Sequence, residues 1–329
     1  MSKIWIKDIQ HYIPEQCLTN EDVIKKYNIR MKPGWVKKIV GIEKRHWAPK
    51  EMAASDLAFE AVSKMDLKDF DGAIFVSTIS GDYPTPSTSS IVKRKLGLSN
   101  LKPAIDLNAA CAGQIFALEM AFHRLKATDE TQALVIASEI RSRFLNMQDR
   151  RTAFIFADGA CSILLEKSDN APGEIEWILS RTYPSDKYEI YIPAGGSAKP
   201  ITSEVIEKNE HCITMTDGAK IVDVTTDKMV SSIKEYLNEK RMSLSDFDYF
   251  VFHQGNGNLI RKICSNMEIP EEKTWINFET VGNTASASMG ISLSQAYAAK
   301  KFKKGERVLV LAMGAGYHLA FASIIWGLD

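Results

Sequence analysis

The chain contains two similar segments that lie a little more than half its length apart. Leu67-Lys68-Asp69-Phe70-Asp71 precedes the apolar run 73–76, and Leu244-Ser245-Asp246-Phe247-Asp248 precedes the apolar run 249–252. A repeat separated by this distance indicates a duplicated domain rather than a solenoid of short repeats. The chain is therefore expected to fold as two related halves.

Helix and strand patterns surround both copies. Apolar residues recur at helical spacing over 54–65 before the first copy and over 226–240 before the second. Short, almost continuously apolar runs follow, which we interpret as buried strands: 133–138, 161–165, 308–313 and 319–326. Such strands alternating with helices are typical of α/β proteins whose sheets are covered on both faces.

The boundary between the halves is predicted between residues 168 and 220, and the turn-rich break 168–173 is taken as its position. This gives an N-terminal half of residues 1–170, with one cysteine of special interest, and a C-terminal half of residues 171–329. In folds of this kind, active sites gather where loops leave the ends of the strands.

Composition narrows the classes of function. Lys+Arg and Asp+Glu both number 41, so no overall field would attract nucleic acid or an anionic membrane surface. No run approaches the roughly 18–20 apolar residues of a membrane helix, and the first residues lack a secretory-signal pattern. The five cysteines are scattered without metal-ligand spacing. We predict no bound metal, no nucleic-acid or membrane partner, and a cytoplasmic location.

Cys111 is the strongest candidate for a nucleophile. The strand-like run 103–107 leads through small residues to Cys111, and a helical pattern begins at Gly113. Unpaired N–H groups and the positive end of a helix favour a thiolate at such a turn. A single cysteine is, however, more often an inert buried residue. The choice between these interpretations depends on residues elsewhere in the chain.

Three further features are expected to join Cys111 at strand ends. His253 follows the predicted strand 249–252, Asn283 lies in the small-residue segment 281–288, and Gly314-Ala315-Gly316 follows an apolar run. Taken singly, each has an ordinary structural explanation, as a hydrogen-bonded histidine or a turn. As a set, a thiol, an imidazole, an amide and a glycine turn indicate a catalytic site.

These segments carry a family resemblance. Four segments resemble the signatures of the β-ketoacyl-acyl carrier protein synthase III family of thiolase-like condensing enzymes: Asn108–Gly113, His253–Asn256, Gly282–Ser286 and Gly314–Gly316. The resemblance extends from the segment 35–46 to the C-terminal strand. It implies a five-layered αβαβα fold made of two duplicated halves, normally a homodimer.

The resemblance also implies a mechanism. An acyl-coenzyme A primer would be loaded onto Cys111, with the backbone N–H groups of Cys111 and Gly316 as the oxyanion hole. Malonyl-CoA or malonyl-acyl carrier protein would then lose CO₂, and His253 and Asn283 would stabilise the resulting enolate. These thioesters are substrates, and no further cofactor is expected.

Binding residues follow from the same resemblance. Trp35 and an arginine of the pair Arg150 and Arg151 would lie on either side of the adenine of coenzyme A. Asn256 would contact pantetheine. Thr85 belongs to a segment that closes the acyl pocket of the partner subunit, and its small side chain predicts room for a longer or branched primer.

Basic residues near Trp35 are candidates for contacts with the phosphates of coenzyme A. They are Lys37, Lys38 and Arg45, although a solvated charged surface is the commoner role of such residues.

The sequence also departs from the family pattern. Phe252 replaces a proline and Gly255 an alanine around His253, and Gly257 is an inserted residue. Ala315 replaces the middle residue of a three-glycine run. His318 follows as a second histidine, which is either an alternative proton donor or a packed side chain.

We predict a condensing enzyme of fatty-acid initiation or of a specialised polyketide-like or quinolone-like pathway. One alternative is an acyltransferase that moves the acyl group to a small acceptor without decarboxylation, although such transfer does not require the His253–Asn283 pair. Another is a non-catalytic partner subunit, although such a subunit does not need Cys111. The sequence leaves open the primer, the carrier of the extender unit and the pathway.

Overall fold

The computed structural model describes residues 3–168, 171–185, 188–216 and 218–327, with the backbone alone for residues 219 and 220. Its strands are β1 (Ile4–Tyr12), β2 (Cys17–Thr19), β3 (Lys44–His46), β4 (Ala73–Ser77), β5 (Ala104–Leu107), β6 (Gln132–Ile140), β7 (Asp158–Lys167), β8 (Gly173–Thr182), β9 (Ile190–Tyr191), β10 (Thr214–Met215), β11 (Tyr249–Phe252), β12 (Arg307–Gly314) and β13 (His318–Trp326).

The helices are α1 (Asn20–Tyr27), α2 (Pro33–Val40), α3 (Ala54–Val62), α4 (Thr88–Lys95), α5 (Gly113–Ala127), α6 (Ser203–Glu207), α7 (Gly218–Glu239), α8 (Gly257–Asn266), α9 (Phe278–Val281) and α10 (Ser288–Ala298). Short 3₁₀ turns occur at Ala110–Ala112, Ser142–Phe144, Leu244–Asp246, Glu271–Lys273 and Ala285–Ala287.

The main sheet consists of two related sets of strands, in the order β5-β4-β6-β7-β1 and β8-β13-β12-β11. In the first set β4 is parallel to β5 and β6, while β6-β7 and β7-β1 are antiparallel. The second set repeats this pattern, with β11 parallel to β12 and the pairs β12-β13 and β13-β8 antiparallel. In the second set, an isolated parallel bridge between Phe250 of β11 and Thr274 takes the position that β5 has beside β4 in the first set. The predicted duplication is confirmed.

The helices complete five layers. Helix α5 packs against β4 and β6 of one set and β8 and β13 of the other, and α10 packs against β1, β7, β11 and β12. Helices α3 and α4 cover the outer face of the first set, and residues of α7 and α8 share a core with the outer face of the second. The resulting αβαβα order is the predicted fold class.

Two predicted helices have different bounds in the structure. The helix predicted at 54–65 is α3, which ends at Val62, and the helix predicted at 226–240 is α7, which begins at Gly218. The first turns of α7 place Ile221, Val222 and Val224 on a cavity rather than only on the core. The apolar residues of these first turns therefore do not form a single core-facing stripe like the one that predicts the rest of α7.

The proposed boundary between the halves, 170/171, falls beside residues 169 and 170, which lie outside the described residues. Strand β7 ends at Lys167 and β8 begins at Gly173. The division into 1–170 and 171–329 stays a prediction.

Gly257, at the start of α8, has a packing role. A Cβ atom added to Gly257 would lie 1.9 Å from Cζ of Phe278, whose side chain is fully buried. Gly41 approaches the same ring, since its added Cβ would lie 2.8 Å from Cε2 of Phe278. Glycine is therefore required at the start of α8 and at the end of α2, because a side chain at either position would clash with the ring of Phe278.

We predict that Gly257→Ala lowers the free energy of unfolding by about 1–3 kcal/mol, the usual cost of overpacking a core. Urea unfolding followed by tryptophan fluorescence would measure the change. Gly34→Ala is the matched control, because a Cβ at Gly34 meets no atom within 4 Å. Equal stability of the two variants would contradict this account of Gly257.

Candidate active site

A cavity of about 620 Å³ opens where the ends of several strands meet. It brings together Cys111, His253, Asn283 and the Gly314–Gly316 turn, as the sequence predicted. One detail of that prediction is wrong, because Asn283 follows the short helix α9 rather than a strand. Its backbone is held instead as an isolated bridge to Phe156, with Asn283 N donating to Ile155 O at 3.0 Å.

Cys111 lies in the 3₁₀ turn Ala110–Ala112, directly before α5. Gly314 of the neighbouring strand approaches this turn, since a Cβ at Gly314 would lie 3.0 Å from the backbone nitrogen of Cys111. Burial, the largest cause, and the Glu139 carboxylate together raise the pKa of Cys111 to about 12, while Arg141 acts in the opposite direction.

The prediction that this turn favours a thiolate is therefore wrong for the free protein. Desolvation of the sulfur is the largest influence on its pKa, and it favours the neutral thiol. Cys111 rests as a thiol and must lose its proton as it attacks.

His253 is the first residue after β11, and its backbone nitrogen donates to Leu311 O at 2.8 Å. A Cβ at Gly255 would lie 2.6 Å from His253 Nε2 and 3.5 Å from Asn283 Nδ2. Glycine at this position therefore lets the imidazole and the amide approach the same stretch of backbone. Burial lowers the pKa of His253 to about 4, so the ring is neutral at physiological pH. Among the described residues, Nδ1 has no hydrogen-bond partner.

The orientation of the Asn283 amide is fixed by its own turn. Its Oδ1 accepts a hydrogen bond from Ala285 N at 2.9 Å, and Nδ2 lies 3.5 Å from Gly255 O. The donor end of the amide thus faces the loop that carries His253. Gly282 makes this possible with a φ of +84°, and its added Cβ would lie 2.8 Å from Cβ of Ala157.

The turns that carry Cys111 and Asn283 have the same construction. Asn108 Oδ1 accepts from Ala110 N at 3.1 Å, as Asn283 Oδ1 accepts from Ala285 N. Ala110 and Ala285 have φ values of 48° and 47°. Each turn passes through three 3₁₀ residues into a central helix. In this correspondence, Ser286 occupies the position of Cys111.

The glycine turn places Gly316 on the cavity with a φ of +84°. His318 is a packed side chain: Nδ1 hydrogen-bonds to Thr182 Oγ1 at 2.8 Å, and the ring meets Phe116 edge-on. A Cβ at Gly316 would lie 3.1 Å from His318 Nε2, which explains the absence of a side chain there.

The predicted binding residues are distributed unevenly. Arg150, Arg151 and Asn256 line the cavity, whereas Trp35 and Thr85 are exposed and are not among the described residues that line it in this protomer. Arg151 forms an ion pair with Asp149 at 2.8 Å. Asn256 uses Oδ1 to cap α8, accepting from Asn258 N at 2.9 Å.

The prediction that Arg45 contacts phosphates is wrong. Its side chain is fully buried and donates to Leu18 O, Phe154 O and Asn20 Oδ1. Lys37 and Lys38 are exposed on α2, and Lys37 pairs with Glu43.

Sequence reasoning missed part of the cavity wall. Tyr188, Ile190 and Met215 line the cavity, and none of them belongs to a motif singled out in the sequence. Their apolar side chains within a stretch rich in polar and turn residues were the available signal.

Over the described ranges, no group of three or more His, Cys, Asp and Glu side chains is arranged to hold a metal ion. The same ranges contain no helix that is long and apolar enough to cross a membrane.

A duplicated αβαβα fold, with these side chains gathered at the strand ends, defines a thiolase-like protein. Residues 105–182 match the family model for 3-oxoacyl-[acyl-carrier-protein] synthase III, and residues 237–326 match its C-terminal model. The chain belongs to this family.

Comparisons with individual proteins agree with this family assignment. The chain is 35% identical to a β-ketoacyl-[acyl-carrier-protein] synthase III of Syntrophomonas wolfei, over 99% of this chain and 98% of that protein. It is 32% identical to the acetoacetyl CoA synthase NphT7 of a Streptomyces species, over 96% of each. A crystal structure of β-ketoacyl-[acyl carrier protein] synthase III from Thermus thermophilus superposes with a TM-score of 0.86 at 25% identity, covering 98% of this chain and 99% of that one.

The neutral state of His253 predicts a pH dependence of stability. Between its folded pKa of about 4 and the ordinary histidine pKa of 6.5, the unfolded state binds a proton that the folded state excludes. The free energy of unfolding therefore falls as the pH drops through this window, by up to about 3 kcal/mol from this group.

His253→Asn removes that contribution, so its stability should decline less steeply with acid. Urea unfolding at neutral pH and near pH 4 would measure the slope. His123→Asn, at an exposed histidine, is the control. Identical slopes for wild type and His253→Asn would show that the ring is not buried in its neutral form.

Proposed function

We propose that this protein catalyses a decarboxylative Claisen condensation, in which an acyl-CoA primer on Cys111 is extended by malonyl-CoA or malonyl-acyl carrier protein. The observation that carries the proposal is the convergence of two neutral donors, His253 Nε2 and Asn283 Nδ2, on the cavity that also contains Cys111. Family membership supports the same chemistry.

In the first step, the sulfur of Cys111 attacks the thioester carbonyl of the primer. The thiol proton of Cys111 passes to the departing sulfur of coenzyme A, so the neutral imidazole of His253 keeps the Nε2 proton that it donates in the second step. The carbonyl oxygen becomes an oxyanion that accepts hydrogen bonds from the N–H groups of Cys111 and Gly316. One such donor is typically worth about 3–4 kcal/mol of transition-state stabilisation.

In the second step, the bond between the malonyl α-carbon and its carboxylate breaks, releasing CO₂. The electron pair forms an enolate, whose oxygen accepts hydrogen bonds from His253 and Asn283. An amide and a neutral imidazole stabilise this charge without supplying an acidic proton that would quench it. The enolate carbon then attacks the acyl group, and the sulfur of Cys111 leaves as the β-ketoacyl product forms.

We assign substrate binding to residues of the cavity wall together with the exposed Trp35 of α2. Trp35 and one of Arg150 and Arg151 stack on the adenine of coenzyme A, where a guanidinium contributes a cation–π interaction. The Nδ2 of Asn256 donates to pantetheine. The enzyme needs no cofactor beyond its thioester substrates.

We further propose a homodimer in the cytoplasm. Strand β5 lies at the edge of the sheet with Ile105 41% exposed, and such an edge can pair with the same strand of a second copy. The five unpaired cysteines are compatible with a reducing compartment. Fatty-acid initiation and a specialised polyketide-like or quinolone-like pathway are both compatible with this chemistry.

The first test separates the two chemical steps. Intact-protein mass spectrometry should detect an acyl adduct after incubation with acyl-CoA thioesters from acetyl to dodecanoyl, and malonyl-CoA should discharge it. Cys111→Ala is the control for the site of attachment. An adduct that malonyl thioesters fail to discharge would favour acyl transfer to another acceptor, and no adduct from CoA or carrier-protein thioesters would favour a non-catalytic subunit.

Asn283→Ala should form the same acyl adduct as the wild type but release CO₂ from malonyl-CoA about 10²–10³-fold more slowly, the usual cost of one oxyanion donor. Release of ¹⁴CO₂ from labelled malonyl-CoA would measure the rate. Cys111→Ala is the informative comparison, because it removes acylation but leaves the enolate donors in place. Wild-type CO₂ release by Asn283→Ala would refute the assigned role.

Thr85 predicts the size of the primer. In a dimer, its small side chain leaves space at the end of the partner's acyl pocket, so octanoyl-CoA should acylate Cys111. Thr85→Phe should retain acylation by acetyl-CoA and lose acylation by octanoyl-CoA. If acetyl-CoA alone acylates the wild type, the assignment fails.

A further inference from the structure

Two charged residues at the end of β6 have no part in the steps above. We propose that Glu139 and Arg141 are positioning residues: the Glu139 carboxylate holds the turn that carries Asn283, and the two opposite charges together set the reactivity of Cys111. The inference deepens the proposed function and rests on it only for the role of Cys111 as the nucleophile.

The alternation of β6 directs Glu139 toward the central layer. Ala133, Val135 and Ala137 belong to the core around the central helices, so the period of two places Glu139 on the same face. Arg141 follows the end of the strand, where the backbone turns into the 3₁₀ segment Ser142–Phe144. Both are buried, Glu139 completely and Arg141 with 5% of its surface exposed. Charged residues are rarely buried in this way unless they are paired or functional.

Glu139 joins two elements of the site. Its carboxylate accepts hydrogen bonds from Ile79 N at 3.2 Å and from Ser80 Oγ at 2.7 Å, both just beyond the end of β4. It also accepts from Ser286 Oγ at 2.6 Å, in the turn that begins at Asn283. The carboxylate therefore fixes this turn against the end of β4.

The duplication shows what is special about this contact. Ala73 of β4 pairs with Ala133 of β6, and Tyr249 of β11 pairs with Val308 of β12. Glu139 lies six residues after Ala133 in β6, and Gly314 lies six residues after Val308 in β12. Gly314 is therefore the counterpart of Glu139.

Ser286 is likewise the counterpart of Cys111. In the turn of the C-terminal half, the hydroxyl of Ser286 donates a hydrogen bond to the carboxylate of Glu139. At the Cys111 turn of the N-terminal half, the counterpart Gly314 has no side chain, and the backbone of the turn approaches it directly, since an added Cβ would lie 2.5 Å from Ala109 O.

The Ser286 turn also contacts the start of the helix that follows Cys111. A Cβ at Gly113 would lie 2.0 Å from Ser77 Oγ and 3.7 Å from Cβ of Ser286. The carboxylate that holds Ser286 is thus close enough to influence the sulfur, and its charge raises the pKa of Cys111. Burial raises the pKa of Glu139 itself, while Arg141 and the hydrogen bonds lower it.

Arg141 supplies the opposing charge. Its guanidinium lies 5.3 Å from the ring centroid of Phe144 and 6.0 Å from that of Phe156. Phe156 lines the cavity, and its backbone forms the bridge to Asn283. Among the described residues, Nε and Nη1 of Arg141 are buried without a hydrogen-bond partner. Burying such donors is costly, and ring contacts offset the cost only in part. This favours an electrostatic role over a packing role.

Other titratable groups near these residues do not supply the same effect. His253 faces the cavity from the loop after β11 and is neutral. Asp158 of β7 accepts from the backbone nitrogen of Arg141 at 2.7 Å and from Ser142, and burial raises its pKa. Glu139 and Arg141 are the two charged residues whose electrostatic influence on Cys111 the structure resolves.

The test measures alkylation of Cys111 by iodoacetamide in the full-length protein, at a fixed pH, by peptide mass spectrometry. Glu139→Gln keeps the shape of the side chain and removes its charge, so alkylation should accelerate. Arg141→Met removes the opposite charge, so alkylation should slow. A change of one pKa unit alters this rate about threefold, since the gain in thiolate fraction is partly offset by lower nucleophilicity.

Three further variants complete the design. Glu139→Gln/Arg141→Met should return the rate toward that of the wild type. Ser286→Ala keeps both charges, so its alkylation rate should match the wild type while its release of CO₂ from malonyl-CoA declines. Cys111→Ala identifies the signal from the other cysteines. Thermal unfolding of each variant would report any general loosening.

The proposal is overturned if the two single variants change the rate in the same direction or leave it unchanged, or if Ser286→Ala alkylates as fast as Glu139→Gln. It is also overturned if Ser286→Ala releases CO₂ at the wild-type rate. Alkylation does not require malonyl turnover. Failure of the condensation assay in the wild type would therefore refute the proposed function and leave the electrostatic part of this inference to its own result.

Discussion

Burial of α5 and α10 between the two sets of strands is the constraint on which the rest of the structure depends. Both helices contact strands of both sets, so their approach is limited by side-chain size. Small residues at the contacts, such as Ala117 and Ala121 of α5, make it possible. At Gly290 of α10, an added Cβ would lie 2.6 Å from Cys161 Sγ. Because the turns before the two helices also touch, the chemistry of each half is brought to one place.

The duplication supplies this site with two copies of one turn, and the copies have diverged in what they present. In both, an asparagine side chain accepts a hydrogen bond from the backbone two residues later. The first copy presents the sulfur of Cys111 at the cavity. In the second copy the hydroxyl of Ser286 is bound to Glu139, and the amide of Asn283 lines the cavity instead. The two turns share one backbone construction but present different groups to the cavity. The difference is associated with one side chain, Glu139, whose counterpart in the other half is Gly314.

Most of the fold was predictable from local sequence patterns, namely the repeated segment and the spacing of apolar residues. The repeat of Leu67–Asp71 at Leu244–Asp248 and the apolar strands around it identified the duplicated halves. The motifs identified Cys111, His253 and Asn283 as residues that would meet. Features set by tertiary burial were not predictable. The positive end of a helix favours a thiolate at Cys111, but desolvation raises the pKa of the thiol. Arg45 has the sequence context of a surface residue and is fully buried. Glu139 lies just beyond the apolar run 133–138, where a charge looks like the start of a loop.

The electrostatic design of the site follows from these burial effects. The thiol of Cys111, the imidazole of His253 and the amide of Asn283 are all neutral at rest, so the cavity next to the nucleophile carries no fixed charge from them. Claisen chemistry creates negative charge in two places, first on a tetrahedral oxyanion and then on an enolate. In the proposed mechanism, neutral donors stabilise both anions and exchange few protons with them. Charges of both signs are kept behind the turns, on Glu139 and Arg141, where they can influence the sulfur without neutralising an intermediate. Separating the fixed charges from the reacting atoms in this way allows one cavity to stabilise two successive anions.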